Sequence, residues 1–136
     1  MTIGTHSVQE PVSAHDQALS QLMRRAGHEA LAHFGQVYPS TKPDGSPVTE
    51  ADRIAEQILV QGLQAAYPDD AIIGEEGTNI GMTTADAGTW YIDPIDGTGS
   101  FLEGLAHWGP CIGRLLGDSV HCGASFFPRL NEYYFV

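Results

Sequence analysis

The chain has 136 residues and a mass of 14.6 kDa, the size of one domain, with 42% hydrophobic and 17% charged residues in an ordinary globular balance. Acidic residues outnumber basic ones 17 to 6, for a net charge of −11. That balance disfavours nucleic acid and anionic membrane surfaces as partners, since both recruit Lys and Arg.

Residues 1–13 are polar and aperiodic and are expected to form a flexible N-terminus. They show neither the basic n-region nor the apolar h-region of a secretory signal. No apolar run approaches the roughly 18 residues of a membrane span. The expected location is cytoplasmic. Ser13 and Asp16 then make an S-x-x-D capping signal, and Leu19, Leu22, Met23, Ala26, Ala30 and Phe34 recur at helical spacing. A helix is predicted over residues 14–34, stopped at Gly35.

A turn-rich loop, residues 40–47, follows. Thr49 and Asp52 repeat the capping signal, and Ile54, Ala55, Ile58, Leu59, Leu63 and Ala66 mark the inner face of a second helix that Pro68 ends. Residues 71–74 read as a short buried strand that runs into Glu75 and Glu76. Residues 90–92 read as another, ending at Asp93 because Pro94 cannot donate to a central ladder. Residues 111–116, 120–126 and 132–136 form an antiparallel meander, with turns at Gly117-Asp118 and residues 128–131. The element order predicts an α+β fold, two helices packed on an antiparallel sheet. Cys111 and Cys122 fall on adjacent meander strands and share a face if the intervening turn is even. The six histidines have no metal-ligand spacing. Tyr133–Val136 ends the chain as an uncharged apolar strand, and such an edge predicts truncation or self-association.

The chemistry concentrates at Asp93-Pro94-Ile95-Asp96-Gly97-Thr98. A strand delivers Asp93; Asp96 adds a second carboxylate; Gly97 lets backbone approach a ligand; Thr98 offers a hydroxyl at the start of a predicted helical turn. Glu75 and Glu76 end the other strand, so neighbouring strands would converge three or four carboxylates. Oxygen-only donors select Mg²⁺, Mn²⁺ or Ca²⁺, and such a cluster needs cations to offset its repulsion. Each piece alone has a plainer reading as a strand end, a turn dipeptide or a helix cap.

Taken together, D-P-I-D-G-T resembles the signature of the inositol monophosphatase-like, lithium-sensitive, Mg²⁺-dependent phosphatases. Three further segments match in order: Lys42 with Pro47-Val48-Thr49-Glu50-Ala51-Asp52, then Ile73-Gly74-Glu75-Glu76-Gly77, then Phe101, Gly104 and the meander. The resemblance implies that residues 14–136 form the N-terminal half of a layered αβαβα sandwich. It implies that Glu75, Asp93 and the Ile95 carbonyl hold one Mg²⁺, that Asp93 and Asp96 share a second, and that Glu76 assists a third. Mn²⁺ is an alternative ion. Asp52 would orient the Thr98 hydroxyl, Glu75 and Thr98 would activate the attacking water, the Gly97 and Thr98 amides would hold the phosphate, and Lys42 would regulate metal occupancy from its loop. The implied substrate is a small phosphorylated metabolite such as inositol monophosphate, or alternatively histidinol phosphate. Family members are nearly twice as long and carry a W-D-x-A motif with a further metal-binding aspartate. This sequence has no Trp-Asp pair. The expectation is a metal-binding half that is nearly inactive alone, works as a homo-oligomer or awaits a C-terminal half. The competing expectations are a non-catalytic divalent-cation module and a plain oligomerisation module.

Overall fold

The computed structural model describes residues 4–6, as backbone, and residues 14–136. In chain order these form β1 (Gly4–His6), α1 (Ala14–Ala32), β2 (Ser40–Thr41), β3 (Pro47–Val48), α2 (Glu50–Ala66), β4 (Ala71–Gly74), β5 (Asn79–Ile80), β6 (Gly88–Asp96), α3 (Thr98–Leu102), β7 (Gly109–Leu116), β8 (Ser119–Phe127) and β9 (Glu132–Phe135). Seven strands make one sheet in the order β1-β9-β8-β7-β6-β4-β5, while β2 and β3 form a separate hairpin.

Helix α2 starts where its local chemistry demands. Thr49 is the N-cap, the Asp52 backbone N–H donates to the Thr49 hydroxyl oxygen, and the Asp52 carboxylate accepts from the Thr49 backbone N–H in return, so two otherwise orphaned donors are satisfied. For α1 the expected capping residue Ser13 lies outside the described residues. Asp16 is buried and accepts a hydrogen bond from the Tyr133 hydroxyl at 2.9 Å, which ties α1 to the sheet.

Both helices lie on one face of the sheet. Leu19, Met23 and Ala26 of α1 and Ala55, Leu59 and Leu63 of α2 pack against Trp90, Ile112, Phe126 and Tyr133. Leu59 and Leu63 have no exposed surface, and burial of each contributes about 1.5–3 kcal/mol. Ala66, expected on the inner face, is exposed, and Ile54 and Ile58 are half-buried. The opposite face of the sheet, with Ile73, Tyr91, Cys111, Tyr134 and Val136, is half-buried or exposed.

Three expectations change. The sheet is mixed, because β4 runs parallel to β6 while every other pair is antiparallel. The C-terminal edge is not bare: β1 pairs with β9, Gly4 opposite Phe135 and His6 opposite Tyr133, so Gly4–His6 are in a strand and the edge no longer argues for self-association. The rest of residues 1–13 lies outside the described residues. The cysteines occupy opposite faces: Cys111 pairs with Ser125 and Cys122 with Arg114, three positions along β7, and both thiols are free. Cys122 sits 3.7 Å from His15 on the helix side. Among the described residues no helix is long and apolar enough to cross a membrane.

Candidate active site

The parallel pairing of β4 and β6 creates the site. Parallel neighbours run in the same direction, so the acids that follow one register pair on the two strands arrive together. Gly74 lies opposite Ile92, and the Glu75 N–H donates to the Ile92 carbonyl at 2.9 Å. Glu75 is thereby fixed beside Asp93. The two residues border one cleft of about 430 Å³ on the sheet face opposite the helices, together with Tyr91 and Cys111.

Strand β6 does not stop at Asp93. It continues through Pro94 to Asp96, with Asp93 opposite Cys111 and Asp96 opposite Gly109. Three steps on β6 therefore face two on β7, an irregularity that absorbs one extra residue. Such bulges tolerate a proline without a donor and re-aim side chains. Ile95 is buried, whereas Asp96 is exposed.

Gly97 follows at φ 87°, a left-handed conformation that disfavours any Cβ. A Cβ there would also lie 2.9 Å from the His107 carbonyl oxygen. This turn launches α3 and sets Thr98 against α2. The Thr98 hydroxyl is within hydrogen-bond reach of both Asp52 Oδ1 at 3.1 Å and the Ile95 carbonyl at 3.0 Å. Asp52 is fully buried, and its other oxygen accepts from the Thr49 N–H at 2.7 Å and the Thr49 hydroxyl at 2.6 Å.

Lys42 sits at the tip of the β2–β3 hairpin, where its N–H donates to the Ser46 carbonyl at 2.8 Å. Its ammonium reaches Glu75 at 3.1 Å and Glu76 at 3.0 Å. Burial works against the charged lysine, but hydrogen bonds to Glu76 and Glu75 outweigh it and hold the ammonium pKa above its ordinary value. Burial, assisted by Asp52 and Glu75, pushes the Glu76 carboxyl up, and Lys42 offsets only part of that rise.

Asp93 is the unsatisfied member. Its Oδ1 is buried without a hydrogen-bond partner. Burial first, and then the neighbouring Glu75 and Asp96, push its carboxyl up to about 8. A buried acceptor with no donor, next to two more carboxylates, fits a hard cation, which would satisfy the oxygen and offset the repulsion. In the present side-chain arrangement no three His, Cys, Asp or Glu residues among those described are posed as a ready ligand set, and Glu75 and Glu76 turn to Lys42 instead.

Two features escaped the sequence reading. Glu56, on α2, is 4% exposed and accepts from the backbone N–H groups of Glu76 and Thr78 and from the Thr78 hydroxyl. Its signal was an acid interrupting the apolar stripe one turn after Asp52. Asp70 and Arg114 form a bidentate pair at 2.7 and 3.0 Å, completed by donors from Gly88 and Trp90, and no local pattern links them.

A model of the inositol monophosphatase family matches residues 6–136. The chain belongs to the inositol monophosphatase family. It is 39% identical over 122 residues to a histidinol-phosphatase of Chlorobaculum parvum, covering 87% of this chain and 46% of that protein. It is 35% identical over 114 residues to a fructose-1,6-bisphosphatase/inositol-1-monophosphatase of Thermotoga maritima, covering 82% of this chain and 43% of the relative. The solved structure of a Thermotoga maritima IMPase superimposes with a TM-score of 0.76 at 34% identity, covering 85% of this chain and 45% of that one. The chain thus spans less than half the length of these relatives. It has the fold of inositol monophosphatase-family proteins over the matched region.

Proposed function

We propose that this chain carries the Mg²⁺-binding part of a cytoplasmic phosphomonoesterase acting on a small phosphate ester. The carrying observation is the parallel β4–β6 pair that sets Glu75 beside Asp93, whose buried Oδ1 has no partner. Glu75, Asp93 and the Ile95 carbonyl would hold one Mg²⁺, Asp93 and Asp96 a second, and Glu76 would assist a third. Bound Mg²⁺ supplies charge for the phosphoryl oxygens and lowers the pKa of the attacking water. Thr98 orients that water: with its proton directed to Asp52 or the Ile95 carbonyl, its oxygen lone pairs are free to accept from water. Glu75 offers a second acceptor, and half of its side chain is solvent-accessible. The Gly97 and Thr98 amides, in the turn that starts α3, are our assignment for the phosphate. Lys42 competes with cations for Glu75 and Glu76 and so regulates their occupancy.

Inositol monophosphate and histidinol phosphate are the two candidate substrates, supported by similarity to proteins bearing both activities in their names. The Asp93–Asp96 cation has two carboxylates from this chain, and the Trp-Asp motif that supplies another in the family is not in this sequence. Hydrolysis by this chain alone is therefore expected to be slow. Calorimetric titration with Mn²⁺, alongside hydrolysis of both esters in Mg²⁺, tests the proposal. Mn²⁺ heat that vanishes in an Asp93→Asn, Asp96→Asn double variant is expected. Identical heat in both proteins overturns the site, and turnover that survives Asp93→Asn overturns the mechanism.

A further inference from the structure

Helix α2 carries two buried carboxylates one turn apart, and each grips a different acid-bearing segment. Asp52 takes the Thr98 hydroxyl, and with it the segment from Asp93 to Thr98. Glu56, four residues on, takes the turn that follows β4. Its Oε2 accepts from the Glu76 N–H at 2.8 Å; its Oε1 accepts from the Thr78 N–H at 3.1 Å and the Thr78 hydroxyl at 2.5 Å. Four residues of helix rise about 6 Å, so one rigid element spaces the two attachment points.

We infer that Glu56 is a positioning residue, which sets the Glu75–Glu76 turn at the distance from Asp93 that cation binding requires. The inference rests on the metal reading above. A carboxylate is suited to the task because all three of its partners are donors and it presents acceptors alone. The fit is tight as well. A Cβ on Gly74 would come within 2.4 Å of Glu56 Oε1, so the strand end approaches the carboxylate as closely as a glycine allows. Glu56 itself is 4% exposed, which leaves the turn little freedom to re-solvate its amides without breaking these bonds. Outer contacts of this kind hold metal ligands in place, and their loss costs about 10–100-fold in metal affinity.

Glu56→Gln gives an asymmetric test. Its amide oxygen can replace Oε1 and keep both Thr78 donors, while its NH₂ then faces the Glu76 N–H. Amide hydrogen exchange on the metal-free full chain should speed up by about tenfold at Glu76, the worth of one hydrogen bond, and stay unchanged at Thr78. The Mn²⁺ dissociation constant should rise by about tenfold or more. Leu63→Val, a core change on the same helix, should do neither while the protein stays folded. Unchanged exchange at Glu76 overturns the inference, and so does unchanged Mn²⁺ affinity despite faster exchange. Wild-type protein that binds no Mn²⁺ overturns the metal reading and with it the role of Glu56. The exchange pattern, read without metal, distinguishes that failure from a turn that Glu56 never held.

Discussion

The Thr98 hydroxyl lies 3.1 Å from Asp52 Oδ1 although 46 residues separate them in the chain. The same carboxylate completes the α2 capping box. One buried side chain therefore secures both the start of a helix and the hydroxyl proposed to orient water. The two uses should be energetically coupled. In a double-mutant cycle with Asp52→Asn and Thr98→Val, measured by urea unfolding, a coupling of about 0.5–3 kcal/mol is expected. Additive effects would mean that Thr98 draws nothing from Asp52.

Gly97 should tolerate no side chain. Its φ of 87° and the His107 carbonyl, 2.9 Å from where a Cβ would sit, both oppose alanine. Gly97→Ala should destabilise the fold by at least about 1–2 kcal/mol from the backbone conformation alone. A melting temperature lowered by several degrees is the expected result; an unchanged one would contradict the assigned turn.

Asp70 and Arg114 should be among the costliest residues to separate. Burial acts to raise the Asp70 carboxyl, but Arg114 and the Gly88 and Trp90 donors outweigh it and hold its pKa below the ordinary range. Arg114→Ala leaves that carboxylate buried without its cation, at a cost of about 3–5 kcal/mol. With a folded pKa below the unfolded one, the unfolded chain binds more protons between the two values. The stabilisation is complete above the unfolded pKa of about 3.9 and is lost as pH falls through the folded value. Acid titration of wild type should show this loss, and Asp70→Asn should remove it from the profile.

Asp93 should behave in the opposite sense. Its folded pKa is raised to about 8, by burial and then by Glu75 and Asp96, so the folded state holds the extra proton. Its contribution to stability is present below the unfolded pKa and declines as pH rises toward about 8. Mg²⁺ or Mn²⁺ should reverse that decline by favouring the ionised form. Thermal melts should therefore show a larger cation-induced gain at pH 8 than at pH 5. Asp93→Asn should abolish the difference; a gain independent of pH would count against Asp93 as a ligand.

What the sequence alone determined is what short stretches of chain decide. Thr49 and Asp52 mark the start of α2 because a capping box spans four residues. The meander strands follow their turns, Glu75 is legible as an acid directly after a strand, and Asp93 and Asp96 as the two acids of D-P-I-D-G-T. What tertiary structure decided is every relationship across long separations. The parallel register of β4 on β6, which brings Glu75 to Asp93, depends on how two helices cover one sheet face. The continuation of β6 past Pro94 needs β7 opposite it to accept a bulge. Lys42 meets Glu75 and Glu76 across 33 and 34 residues through a hairpin that has no apolar pattern of its own. Glu56 reads locally as one more helix acid; only the turn folded against it supplies the three donors that make its burial favourable. Asp70 and Arg114 lie 44 residues apart, and the sheet alone makes them neighbours. Hydrogen bonds and ion pairs act over a few ångströms, so their partners are fixed only once packing has chosen which distant segments touch.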